Sequence, residues 1–213
     1  MHIEPRWPVA LAIVAVVSLL ALLPSRMRVF PPWVPYLLAI VMILPMAALA
    51  LSAAKARWLR IESIVTLLFF VIVGFGTVDG LKEVLSAEVR RPAGLTGLQL
   101  LTSSIAAWAC NVLIFSVAYW RIDRGGPEAR ANHGSTKRDW LFPRESAPES
   151  VPPDWCPVFV DYLFLAFCTA TAFSPTEALP MTSRAKLLMM LESTISLVTI
   201  IAVASRAINI LGS

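Results

Sequence analysis

The feature that most constrains this chain is a series of long apolar runs that contain almost no charged side chains. A helix of about 20 apolar residues crosses the hydrocarbon core of a bilayer. Hydrophobic residues make up 57% of the 213-residue sequence, and charged residues make up only 15%. The sequence therefore predicts an all-α, polytopic transmembrane bundle of about six apolar segments: Pro8–Pro24, Trp33–Ala54, Ile61–Val78, Leu95–Trp120, Cys156–Phe173 and Arg184–Leu211.

Tryptophan and basic residues mark the ends of these runs. The tryptophans at run edges resemble the aromatic belts that sit at headgroup level; they are Trp7, Trp33, Trp58, Trp120 and Trp155. If there are six spans, ten Lys and Arg residues lie on the side of the two termini and seven lie on the other side. Positive residues favour the cytoplasm, which predicts cytoplasmic termini and a cytoplasmic 121–155 connector.

The polar connector divides the chain into three predicted regions. Residues 1–120 form a four-helix transmembrane region, residues 121–155 form the connector, and residues 156–213 form a helical pair. The connector holds five prolines and has no useful helical or strand periodicity. It is either a flexible loop or a small cap, and it is the part of the chain available to a protein partner.

Polar residues within the apolar runs are the candidates for packing or function. Ser103, Ala107 and Asn111 are spaced by four, so they share one helix face, where small residues favour close helix packing. Glu192 begins a polar stripe with Ser196, Thr199 and Arg206, at spacings of 4, 3 and 7 residues. An ionisable residue within a span is a functional hypothesis, so Glu192 is expected to face a polar interior, near Asn111 or a basic group.

Motifs of soluble enzymes and of nucleic-acid binding are absent from the sequence. It has no GxSxG, HExxH, P-loop or GxGxxG motif, and His2 and His133 are its only histidines. The basic residues lie between apolar runs and form no surface interleaved with aromatic residues. We therefore predict no enzymatic activity, no cofactor, no metal and no nucleic-acid partner. The predicted partners are the lipid bilayer and a second copy of the chain.

The segment 161–192 carries the most specific pattern. An apolar helix leads into Thr169-x-Thr171, a short irregular stretch ends at Glu177, and Pro180 precedes a long helix. This order resembles the pore helix, filter and inner helix of tetrameric potassium channels over about the last quarter of the chain. The resemblance implies an ion path that is lined by these residues: Thr169, Thr171, Ser174, Thr176 and Glu177, with Glu192 behind them.

Two departures from the potassium-channel pattern change what it implies. Ser174 and Thr176 replace the two filter glycines, and Pro175 lies between them. Filter carbonyls point at the ion in conformations that glycine adopts readily and threonine does not. We therefore expect a non-standard filter whose selectivity comes from Glu177 or from the hydroxyls. The alternatives are a non-conducting scaffold or accessory subunit, or a small-solute transporter.

The path of the fifth run is left open by the sequence. Cys156–Phe173 has 18 residues, which is enough either to cross a bilayer or to enter it and return. The block Tyr119–Pro127, together with the later Ala-Phe-Ser-Pro-Thr stretch, is similar to bacterial membrane proteins that have no assigned function. That similarity implies a location in a bacterial inner membrane.

Overall fold

The computed structural model describes residues 5–23, 28, 31, 33–51, 55–90, 97–131, 137–143, 155–172 and 178–211. Seven α-helices have their bounds in these residues: α1 Trp7–Leu22, α2 Val34–Leu51, α3 Lys55–Arg90, α4 Gly97–Ile122, α5 Pro127–Ala131, α6 Phe159–Thr171 and α7 Ser183–Leu211. Two short strands, β1 Trp140–Leu141 and β2 Leu179–Pro180, pair antiparallel.

The mostly helical structure confirms the predicted all-α class. Three stretches of the described residues are long and apolar enough to cross a membrane: Ile61–Gly80, Leu101–Gly125 and Ser183–Ser205. The apolar helices α1 and α6 and the apolar part of α2 are shorter. The number of membrane spans therefore stays a prediction.

Helix α4 lies at the centre of the bundle and packs against α1, α3, α6 and α7. Its partners converge on a core that includes Ile13, Phe69, Phe115 and Trp120. Met42 on α2 joins this core, although Pro45 interrupts the hydrogen bonding of that helix. Because α4 is central, the directions of the other helices are described relative to it.

Helices α6 and α7 both begin at the end of the bundle where α4 ends, which we call the cap end. Tyr162, near the start of α6, hydrogen-bonds to Asp123, which directly follows α4. Arg184, near the start of α7, hydrogen-bonds to Asp139, beside β1. Farther along, Ser193 of α7 donates to the carbonyl of Thr169 in α6. The two helices therefore run parallel to each other and antiparallel to α4.

The chain from α6 to α7 leaves the cap end and returns to it. Helix α6 has 13 residues, or ~20 Å at 1.5 Å per residue, which is short for a membrane span. It closes at Ala172, whose φ of 52° is left-handed. At β2 the chain is back at the cap end, where β2 pairs with β1. Residues 173–177 lie outside the described residues.

The position of the C-terminal helix differs from the expectation that both termini share one side. Arg6, before α1, forms ion pairs with Glu62 and Glu128 at the cap end. Helix α7 starts at the cap end and runs antiparallel to α4, so its last turns lie at the opposite end. The expectation rested on counting α6 as a crossing, and the side of the membrane on which each end of the chain lies stays a prediction.

The described part of the connector folds as a cap. A 3-10 turn at Asp123–Gly125 leads into α5, and β1 follows. Gly126, between the turn and α5, has a φ of 104°, a conformation that favours glycine. Asp123, Asp139 and Trp140 are fully buried. The sequence left a flexible loop and a small cap as alternatives, and the described residues form a small cap. His133 lies outside the described residues, and the binding of a partner by the connector stays a prediction.

The outer faces of this bundle are apolar, and several polar side chains are buried between its helices. Large apolar side chains on the outer faces of the helices are exposed, among them Leu11, Ile64, Phe75, Leu197 and Ile201. Several polar side chains are buried between the helices, including Thr66, Ser104, Asn111, Glu192, Ser196 and Thr199. Soluble proteins bury apolar residues preferentially, so the outer surface of this bundle matches an apolar solvent.

Candidate functional site

Glu192 lies at the contact between α4 and α7 and is fully buried. One carboxyl oxygen, Oε2, accepts a hydrogen bond of 2.5 Å from the Tyr119 hydroxyl. The other oxygen, Oε1, is buried and has no hydrogen-bond partner among the described residues. The described part of the chain also offers Glu192 no ion pair. A buried carboxyl that has one unsatisfied oxygen, and no cation paired with it among the described residues, is unusual in a protein interior.

Asn111 joins α4 to the same turn of α7. Its side-chain amide donates to the main-chain carbonyl of Glu192 at 3.2 Å and to Ser196 Oγ at 2.9 Å. Asn111, Ser196 and Thr199 are all buried, and Thr199 donates to the carbonyl of Ile195 within its own helix. The first three residues of the predicted stripe on α7 are thus buried, and Glu192 and Ser196 bond to α4. The side chain of Arg206, the fourth residue of the stripe, lies outside the described part of the structure.

The predicted packing face of α4 holds residues with different roles. Asn111 makes the two bonds to α7 described above. Ser103 is buried but donates to Gln99 within α4. Ala107 is half-buried. Of these three residues, Asn111 is the one that hydrogen-bonds to another helix among the described residues.

The predicted ion-path residues are only partly within the described structure. Thr169 is buried and donates to the carbonyl of Leu165, while its own carbonyl accepts from Ser193. Thr171 donates to the carbonyl of Phe167. The remaining predicted path residues, Ser174, Thr176 and Glu177, lie outside the described residues. Glu192 is therefore joined to α4, and the next residue of α7, Ser193, is joined to Thr169 of α6.

Asp123 organises the cap end. Its carboxylate accepts hydrogen bonds from the Tyr162 hydroxyl at 2.5 Å and from the main-chain N–H of Asp139 at 2.9 Å. The buried Arg130 guanidinium donates to the main-chain carbonyls of Trp120 and Asp123 and lies 4.9 Å from the ring centroid of Tyr162. These bonds join the end of α4, α5, β1 and the start of α6.

Asp139 fastens the start of α7 to the cap. Its fully buried carboxylate accepts from Thr182 Oγ1 at 2.6 Å and from the Arg184 guanidinium at 2.6 and 2.5 Å. The main-chain carbonyl of Asp139 also accepts from the N–H of Met181. Trp140 packs its ring against Tyr119 and donates from Nε1 to the sulfur of Met189. The cap thus reaches the residues beside Glu192.

A third buried ionic group lies where α1 begins. Arg6 forms ion pairs with Glu62 on α3 and with Glu128 on α5. Arg121 lies 3.5 Å from the second oxygen of Glu128. Glu62 is almost fully buried, and its Oε2 has no hydrogen-bond partner among the described residues. Unlike Glu192, Glu62 is balanced by a cation, which is what a buried carboxylate needs to stay ionised.

The organising role of the cap residues was not predicted from the sequence. Asp123 and Asp139 lie in a connector whose composition is that of a loop, and their partners are up to 45 residues away. A local signal was present: the apolar triplet Trp140–Phe142 interrupts the polar segment, and Gly125-Gly126 supplies a turn. A large aromatic residue in a polar connector indicates that part of the connector packs against the core.

Comparison with protein-family models, with curated proteins and with solved structures finds no match for this chain. Among the described residues, no group of three His, Cys, Asp or Glu side chains is placed to hold a metal ion.

Proposed function

We propose that this chain is a multi-pass bacterial inner-membrane protein whose segment from α6 to α7 forms a re-entrant, ion-conducting or ion-sensing element. The observation that carries the proposal is the return of the chain: α6 and α7 both begin at the cap end and lie side by side. A helix that enters, a return of the chain to the same end and a second long helix are the parts of a pore loop.

The distribution of polarity supports a location within a bilayer. The exposed outer faces carry large apolar residues, while Asn111, Glu192 and Ser196 are buried between the helices. Polar groups inside membrane bundles face other helices or a water-filled path, because lipid offers them no hydrogen bonds. In this proposal α1, α2, α3, α4 and α7 cross the membrane, and α6 enters it from the cap end.

The direction of α7 strengthens the charge bias that orients the chain. With α6 re-entrant, Arg184 and Lys186 join the side of the cap end. Twelve of the eighteen Lys and Arg residues then belong to segments on that side. The positive-inside rule therefore favours a cytoplasmic cap end, with the N-terminus and the 121–155 connector in the cytoplasm. The C-terminus is then on the outer side.

Within this element we assign the ion path to the residues that the sequence pattern selects. Ser174, Thr176 and Glu177 follow α6 in the chain, and Thr169 and Thr171 occupy its last turns. Glu192 lies one turn before Ser196 on α7 and near the level of Thr169. A path of hydroxyls with one Glu177 carboxylate from each subunit favours cations. Because one chain supplies one such segment, conduction requires a homo-oligomer.

The alternative is a non-conducting scaffold or accessory subunit that binds a partner through the 121–155 connector. The described connector residues support a structural role, since Asp123, Asp139 and Trp140 are buried in contacts within the chain. Conduction and scaffolding make opposite predictions for the purified protein: an oligomer that passes cations supports the first, and an electrically silent monomer supports the second.

The deciding experiment is cation flux into liposomes that contain the full-length chain and the Glu177→Gln variant. Removal of one carboxylate per subunit from the path should change cation flux at least several-fold, because a ring of carboxylates concentrates cations. The matched control is Glu149→Gln, which makes the same chemical change in the connector and should leave flux as in the unmodified chain.

Two results would contradict the proposed function. One is the absence of flux from preparations that are shown to be folded and oligomeric. The other is a conducting protein in which Glu177→Gln and Glu149→Gln have the same flux as the unmodified chain. The second result would remove Glu177 from the path even though the protein conducts.

A further inference from the structure

We propose that the Glu192 carboxyl is a proton-binding site inside the bundle, held as a neutral acid against the Tyr119 hydroxyl. The site goes beyond conduction, because it stands on the geometry between α4 and α7; only its coupling to flux rests on the proposed function. The ligand is a proton from water, which forms the Oε1–H bond on binding and returns to water when that bond breaks.

The first step is the lack of a balancing charge. Glu192 is fully buried, and among the described residues no Lys, Arg or His side chain forms an ion pair with it. An isolated carboxylate in an apolar interior is so costly that such a group becomes neutral instead. Glu62 is the contrasting case in the same chain, because Arg6 is paired with it.

The second step is the arrangement of donors around the two oxygens. Oε2 accepts a hydrogen bond from the Tyr119 hydroxyl, as the carbonyl oxygen of a carboxylic acid can. Oε1 is buried without a partner in the described structure, so it is the oxygen that is free to carry the proton. The orientation of the site is therefore Tyr119 donating to Oε2, with the proton on Oε1.

The third step excludes a metal cation as the ligand. Hard cations take about six or more oxygen ligands. Here the nearby Glu192 carbonyl and Ser196 Oγ already accept from the Asn111 amide, whose N–H groups repel a cation. Oε1 and the Tyr119 hydroxyl are two oxygens, which are too few for a metal ion and sufficient for a proton.

The other titratable and charged groups on the packed elements have partners of their own. On α6, Tyr162 donates to Asp123, and Asp161 accepts from the N–H of Val158 at the start of the helix. Near the strands, Asp139 binds Arg184. Among the side chains that the structure describes, the remaining titratable and charged groups on the elements that pack against α7 are Cys110 and Arg121 on α4, Cys168 on α6, and Glu62, Asp79 and Lys82 on α3. None of these described groups is ion-paired to Glu192.

The test is infrared difference spectroscopy of the full-length protein in lipid nanodiscs, with pH steps in H₂O and in D₂O. The unmodified chain should show the carbonyl stretch of a protonated carboxylic acid at neutral pH, and this band should shift in D₂O. Glu192→Gln should lose that band, while Glu62→Gln, which replaces an ion-paired carboxylate, should keep it. Tyr119→Phe should retain the band at a higher frequency, because one hydrogen bond to the carbonyl is lost.

Two outcomes would overturn the proton site. The first is a band of equal intensity in the unmodified chain and in a folded Glu192→Gln variant. If Glu192→Gln does not fold, Tyr119→Phe decides the matter, and an unshifted band would overturn the site. The infrared signal needs no current, so a protein that is electrically silent but keeps the Glu192 band contradicts conduction and supports the proton site.

Discussion

At the scale of single residues, two buried acids in this chain have contrasting surroundings. Asp123 accepts from Tyr162 and from two main-chain N–H groups, and the guanidinium of Arg124 lies 3.6 Å away. Among the described residues, the Glu192 carboxyl accepts a hydrogen bond from Tyr119 alone. Burial of a carboxylate is tolerated where donors replace the lost water. We therefore assign Asp123 to the stability of the cap and Glu192 to a chemical role.

Replacement of Asp123 by alanine is expected to destabilise the protein by about 3 kcal/mol, because the change leaves buried donors and charge without their acceptor. Asp79→Ala is the matched control: Asp79 is 54% exposed and forms an exposed pair with Lys82, so its loss should change stability by less than about 0.5 kcal/mol. Unfolding in mixed micelles, followed by tryptophan fluorescence, measures both. Equal effects of the two changes would contradict the assigned role of Asp123.

The glycine between the 3-10 turn and α5 gives a second prediction. Gly126 has a φ of 104°, and an added Cβ would lie 2.7 Å from Nη1 of Arg121 and 3.3 Å from its carbonyl oxygen. Gly126→Ala should therefore cost about 2 kcal/mol of stability. Gly74→Ala is the control in α3, where a Cβ meets nothing within 4 Å, and it should stabilise by up to about 1 kcal/mol. The same unfolding assay should show a loss of stability for Gly126→Ala and a gain for Gly74→Ala. Stability changes of the same sign in both variants would contradict the turn geometry.

At the scale of elements, the pair of two-residue strands determines how α6 and α7 are connected. Leu141 pairs with Leu179, and Trp140 pairs with Pro180. Although the pair is short, it holds the start of α7 beside the connector, and Asp139 reinforces it through Thr182 and Arg184. The pairing of β1 with β2 and the hydrogen bonds of Asp139 therefore hold the start of α7 at the cap end.

A disulfide tests this connection. Paired residues in antiparallel strands have Cα atoms about 4.5–5.5 Å apart, which lies within the range of disulfides. Leu141→Cys with Leu179→Cys, in a chain whose native cysteines are replaced by alanine, should crosslink on mild oxidation. The control pair is Leu141→Cys with Leu98→Cys, separated by ~36 Å of α4. A gel-mobility assay separates the outcomes, and crosslinking of the control pair alone would exclude the ladder.

At the scale of the whole molecule, the direction of α7 determines where the C-terminus lies. α1, α3, α6 and α7 begin at the cap end, and α4 ends there. A re-entrant α6 makes five crossings from six apolar segments, so the N- and C-terminal ends face opposite sides. This parity also assigns the basic residues at the start of α7 to the side that already holds most of the positive charge.

Cysteine labelling in cells tests this topology. Lys137 and Met181 are exposed at the cap end, and Lys82 is exposed at the opposite end of α3. Single cysteines at positions 137 and 181 should react with an impermeant maleimide only after the cells are permeabilised, and a cysteine at position 82 should react in intact cells. Reaction of position 181 from the outside, with position 137 protected, would mean that α6 crosses the membrane.

The sequence by itself determined the helical class and the apolar segments, because a charge-free apolar run and its bounding prolines and tryptophans are local properties. It also selected Glu192 and Asn111, since a polar residue in an apolar run is visible without coordinates. Only the tertiary structure decided that the described part of the connector is a cap and that the chain is back at the cap end by the start of α7. Those features depend on pairs such as Asp123 with Tyr162 and Asp139 with Arg184, which are 39 and 45 residues apart. No local pattern specifies which distant partner a buried acid will meet, because that choice is made by the packing of whole helices.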